Sequence, residues 1–166
     1  KLGVEVDKSM GRGKLIDDVL WKMGMHSDDA VELVFLTGLV ESGYKYISQI
    51  GSGIARSFWQ VESFTAKDCV DNYLIYRDSR LKKCCSAMQR KPETILEMNQ
   101  NELQELLWHD MSAGIVFCRL KYRRDPNPIP TDIKDIAHYW KNVYNTKSGA
   151  GTVEHFLSMV DKRKDK

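Results

Sequence analysis

Apolar side chains recur at helical spacing along most of this chain, and the pattern lapses in one long stretch. Leu15, Val19, Leu20, Trp21 and Met23 predict a short amphipathic helix ended near Gly24. Val31–Val40 reads V-E-L-V-F-L-T-G-L-V, apolar nearly all round, and predicts a buried helix running to about Glu41 with Ser27 or Asp28 as its cap. Tyr44–Trp59 shows glycines and hydroxyls without a stripe, so a loop or small irregular hairpin is expected. Periodicity then returns. Thr65 or a neighbour caps a segment carrying Val70, Tyr73, Leu74 and Leu81 to about Arg90, and Pro92 opens a short helix through Met98. Asn101 caps the longest candidate, Glu102–Arg124, in which Gly114 permits a close helix contact. Beyond the proline-rich loop Asp125–Thr131, helices are predicted over Asp132–Asn145 and Gly151–Lys162, parted by Thr146–Gly151.

The pattern is mainly α with one irregular insert. Residues 1–13 read as a flexible arm, 14–166 as one domain, and Lys162–Lys166 as a solvated charged tail. At 166 residues the chain can bury one substantial core. No run of 18 apolar residues is present, so no membrane span is expected. A net charge of +2 is too small to point to nucleic acid. Cys69, Cys84, Cys85 and Cys118 lack zinc-ligand spacing, as do His26, His109, His138 and His155. The cysteines read as reduced thiols, and no metal or cofactor is expected. Trp21, Trp108 and Trp140 fall at helical spacing and read as packing, and the basic residues Arg119, Lys121, Arg123 and Arg124 suit the C-terminal end of a helix. No charged-then-apolar leader opens the chain, which begins with Lys1.

Glu41 is the candidate for chemistry. It closes the buried helix and is followed at once by Ser42-Gly43. Desolvation opposes ionisation there, and so does the negative end of the helix dipole. Both raise the carboxyl pKa toward the range a general acid needs near neutral pH. The competing reading is a helix-terminal glutamate turned into water.

Three elements in order carry a resemblance. They are Glu41-Ser42-Gly43, then Ile54-Ala55-Arg56-Ser57-Phe58-Trp59-Gln60, then Tyr144-Asn145-Thr146-Lys147-Ser148-Gly149-Ala150-Gly151-Thr152-Val153. They resemble the buried acid helix, the G-A-x-G-L-M-Q segment and the Y-N-A-G-x-G-x-V turn of the soluble lytic transglycosylases and goose-type lysozymes, the last with a two-residue expansion. Together with Trp59-Gln60-Val61-Glu62 and the late Tyr-Trp-x-x-x-Tyr-Asn, the whole is similar to small lysozyme-like proteins of tailed phages. The chain departs from the family pattern where Ile54 and Ser57 replace glycines and Trp59 replaces methionine.

The resemblance implies an α+β lysozyme-like fold, its small insert lining a glycan cleft. It implies cleavage of the MurNAc-GlcNAc β-1,4 bond of bacterial peptidoglycan by a lytic transglycosylase or lysozyme. Such an enzyme is made in the bacterial cytoplasm and acts in the periplasm or cell wall, or travels in a virion. Glu41 is then the general acid and base. Tyr144 contacts the acid and the sugar N-acetyl region, and Ser52 stands beside the position of a substrate-binding loop serine. Gln60 either binds acetamido groups or pins its loop, and Trp59 either stacks on a sugar or packs in the core. Because Ser42–Val61 contains no Asp or Glu, a substrate-assisted, single-acid mechanism is expected, with Glu62 the nearest second carboxylate. The competing expectations are an inactive lysozyme-fold protein serving as a wall-binding or virion part, and the same fold acting on another polysaccharide such as chitin.

Overall fold

The computed structural model describes residues 13–51 and 53–164. The expected N-terminal arm lies outside them except for Gly13, the first described residue of helix α1 (described over 13–22), which Gly24 ends in the left-handed region at φ 71°. α2 spans Asp28–Ser42. Ser27 is its cap, the hydroxyl accepting the Ala30 N–H, and Gly43 closes it at φ 62° while donating to the Leu39 carbonyl. Ala30, Leu33, Val34, Leu36, Thr37, Gly38, Val40 and Ser42 are all buried, so α2 is the apolar centre that its sequence predicts.

Two predicted helices are each broken. The segment expected to run from Thr65 to Arg90 is α3 (Ser63–Asn72), a 3-10 turn (Leu74–Tyr76) and α4 (Asp78–Ala87). The chain leaves helical geometry at Tyr73, which buries Tyr73 and Leu74, and the Arg77 guanidinium lies 4.1 Å over the Tyr73 ring. α5 spans Pro92–Glu97. The expected helix Glu102–Arg124 is α6 (Gln100–His109) followed by α7 (Met111–Arg123). Asn99, not Asn101, caps α6, in a reciprocal capping box with Glu102. Asp110 takes extended geometry between the two, accepts the Ala113 N–H and pairs with Arg90 at 3.2 Å. A local cap thus overrides an apolar period that is uninterrupted on either side.

α8 (Ile133–Tyr139) is capped by Asp132 and passes into a π turn, Trp140–Asn145; Thr146, at φ 71°, stops it, and α9 (Val153–Lys164) is the last element among the described residues. One hydrophobic cluster runs from Ile16 to Val160 and includes Trp59, Phe117, Tyr122, Trp140 and Phe156. The four cysteines are free and buried in it. Trp21, expected in packing, is 65% exposed and stacks on His26.

The insert after α2 is irregular, and no strand forms among the described residues. The chain doubles back twice through isolated antiparallel bridges, Ser48 with Arg56 and Arg56 with Val61. Ser57 and Gln60 both hold positive φ at its inner edge. The fold is therefore mainly α. Gly114 on α7 does allow a close approach, but to the insert and not to a helix: a Cβ there would lie 2.8 Å from the Ser57 side chain and 2.9 Å from the Trp59 ring. No helix of the described residues is long and apolar enough to cross a membrane.

Candidate functional site

The Glu41-Ser42-Gly43 tripeptide is a helix ending that folds back on itself. The Ser42 hydroxyl donates to the Gly38 carbonyl and accepts the Tyr44 N–H. Tyr44 returns across α2, its hydroxyl donating to the Phe35 carbonyl and its ring lying where a Gly38 Cβ would stand at 2.5 Å. Glu41 is left half-buried in the last turn, facing α7 and the π turn.

Trp140 fixes the carboxyl. Its indole N–H donates to Glu41 Oε2 at 2.9 Å. No donor among the described residues reaches Oε1, which touches solvent. The Trp140 ring is buried, tilted against Phe156 at 5.5 Å, and backed by Gly151, where a Cβ would come within 2.5 Å of the ring. The Lys141 ammonium ties the turn behind it, donating to Asn145 Oδ1 and to the Gly149 carbonyl. The glycine-bearing motif 144–153 thus holds the tryptophan that holds the acid.

Burial raises the Glu41 pKa to about 7, against the lowering effects of the Trp140 N–H and of the Lys121 ammonium, while the charge of Glu62 adds to the rise. A carboxyl of that affinity is protonated in an appreciable fraction of molecules at neutral pH and can still release its proton, as a general acid and base must.

The other expected residues divide. Tyr144 comes to the site but not in the expected role: its buried hydroxyl donates to the Trp59 carbonyl at 2.6 Å, and its ring stacks on Tyr122 at 4.9 Å. The hydroxyl orders the insert; it makes no hydrogen bond to Glu41. Trp59 is a core residue. It is 1% exposed and its indole N–H donates to the Val34 carbonyl, so its ring has no face for a sugar. Gln60 pins its own loop, its amide donating to the Ser57 carbonyl at 2.9 Å. Glu62 stands half-buried at the N-cap of α3, near enough for its charge to act on Glu41. Ser52 lies outside the described residues.

Two site residues escape a reading of periodicity alone. Trp140 looks like packing, and its one signal is its place four residues before Tyr144 in the Tyr-Trp-x-x-x-Tyr-Asn pattern. Lys121 looks like a helix-end cation, yet its ammonium lies 4.3 Å from the Tyr144 ring centroid, in the field of Glu41 and Glu62. Among the described residues, no cluster of His, Cys, Asp and Glu is arranged to hold a metal.

Depressions of about 390 and 190 Å³ lie elsewhere, and neither is lined by Glu41. The larger joins the start of α2, the end of α7 and the Asp125–Thr131 loop, and Arg119, Arg123, Asp29 and Asp125 are among the residues that line it. Compared with protein-family models, with curated proteins and with solved structures, the chain matches none.

Proposed function

We propose that the chain is a peptidoglycan-cleaving glycosidase, a lytic transglycosylase or lysozyme, with Glu41 as its general acid and base. The observation that carries the reading is the half-buried Glu41 carboxyl, raised to about pH 7, with Oε2 held by Trp140 and Oε1 open. Glu41 protonates the glycosidic oxygen as the anomeric C–O bond breaks. As a carboxylate it then takes a proton from the incoming nucleophile. The insert 44–60 supplies no second carboxylate, which favours displacement assisted by the substrate's own N-acetyl group. Attack by the sugar 6-hydroxyl gives a 1,6-anhydro product, and attack by water gives a reducing end. The lysozyme-like relationship, the bacterial wall as partner, and action in the periplasm, in the wall or from a virion belong to the same proposal.

A second reading is an inactive wall-binding or virion part of the same fold. It is favoured by the engagement of Trp59, Gln60 and Tyr144 in holding the insert. Mass spectrometry of purified peptidoglycan after incubation separates the cases. Anhydro-muropeptides indicate a transglycosylase, reducing-end muropeptides a lysozyme, and an unchanged digest the inactive protein.

A further inference from the structure

Thr37 and Glu41 stand one turn apart on one face of α2. Thr37 is hydrogen-bonded to Tyr122 at 2.8 Å, which brings the end of α7 against the end of α2. Trp140 and Tyr144 are similarly placed on the π turn; the first donates to Glu41 and the second stacks on Tyr122. Lys121, the residue before Tyr122, sets its ammonium over the face of the Tyr144 ring. Three elements thereby bring one half-buried cation to the acid. Among the described residues the ammonium makes no ion pair and no hydrogen bond, and the carboxylates that act on it through space are Glu41 and Glu62.

Resting on the reading of Glu41 as acid and base, we infer that Lys121 is a positioning residue that stabilises the Glu41 carboxylate once its proton has passed to the leaving oxygen. The seat of the ammonium is what suits it to this. A lysine in direct contact with the carboxylate would hold it ionised throughout, leaving no proton to give. The Tyr144 ring attracts the cation to its own face, and that ring is anchored through its hydroxyl to the Trp59 carbonyl. Lys121 therefore stabilises the anion from a distance, and the carboxyl can both release and recover the proton.

The other groups around Glu41 do not compete in this range. Cys118, Tyr122 and Tyr144 interact with its charge but stay neutral, since burial pushes the Cys118 thiol up to about 12 and both phenols above their usual value. On α9, Arg163 is paired with Glu32, and in the insert Arg56 lies over the Trp108 ring.

The test is a carbon-13 carboxyl NMR titration of Glu41 in the wild type, Lys121→Met, Lys121→Arg and Glu62→Gln, beside the pH profile of peptidoglycan cleavage. Lys121→Met should move the Glu41 titration and the alkaline limb of kcat to higher pH, Lys121→Arg should largely restore both, and Glu62→Gln should move them to lower pH. KM should change less than the pH profile. A Glu41 titration unmoved by Lys121→Met, in a variant whose remaining spectrum is native, overturns the inference. So does a Lys121→Arg variant that behaves like Lys121→Met. The titration needs no substrate. Opposed shifts in a protein that cleaves no glycan would overturn the proposed function and leave the coupling of Lys121 to Glu41 standing.

Discussion

Trp140 donates its indole N–H to Glu41 across 99 positions of sequence, and the bond of 2.9 Å joins the last turn of α2 to the π turn. A π turn is wider than an α turn and is often found where a side chain must be re-aimed. Here it follows α8 directly and carries both Trp140 and Tyr144, which reach the acid and the insert respectively. The site is the meeting of α2, α7 and this turn.

Glu41→Gln should leave the fold intact and remove most glycan cleavage. The amide keeps the shape and can still accept the Trp140 N–H, but it has no proton to transfer. General acid–base groups contribute about 10²–10⁴-fold. Release of muropeptides at a near wild-type rate would show that Glu41 is not the acid.

The same substitution should stabilise the protein at alkaline pH. The folded carboxyl holds its proton up to about pH 7 and the unfolded one only to about 4.5, so the native state binds more protons between those values. Stability contributed by this group is therefore full below pH 4.5 and falls as pH rises through the window. Glu41→Gln removes that loss, which amounts to at most about 3 kcal/mol by linkage. Denaturant unfolding at pH 4 and pH 8 checks it: the variant's advantage should appear only at the higher pH.

Gly151→Ala should disturb the acid without touching it. The added methyl would meet the Trp140 ring at 2.5 Å and push the indole off Glu41 Oε2. Overpacking of this kind costs about 1–3 kcal/mol. The expected result is a lower melting temperature together with a Glu41 titration shifted upward, since the N–H that lowers its pKa has moved. An unchanged titration would mean that the turn yields and the indole stays.

Tyr144→Phe should act on stability before turnover. It strands the buried Trp59 carbonyl, which otherwise accepts the phenol at 2.6 Å. An unsatisfied buried acceptor costs about 1–3 kcal/mol. Thermal unfolding should show that loss. With kcat compared at a temperature where both proteins are folded, the change should be small. A large fall in kcat with unaltered stability would return Tyr144 to the substrate.

The α2 helix, a cap at Ser27 or Asp28, the irregular insert, the Pro92 start and the late helices follow from local pattern, because capping, proline and apolar period act over a few neighbouring residues. Glu41 stood out for the same reason, as a carboxyl ending a run with almost no polar side. The breaks at Tyr73 and Asp110 are less legible, since the apolar period persists on both sides of each and only a competing cap or a buried aromatic ends the helix. What each side chain does with its polar atom was decided by tertiary structure alone. Trp140 falls at helical spacing and Trp59 in the unpatterned insert, but neither position tells that one indole N–H meets the Glu41 carboxyl and the other the Val34 carbonyl. Gly114 and Gly151 likewise show their use only when the insert and the Trp140 ring arrive from distant segments. Local physics specifies where a helix starts, stops and turns its apolar face. Which donor meets which acceptor depends on how those faces pack, and that information is spread over the whole chain.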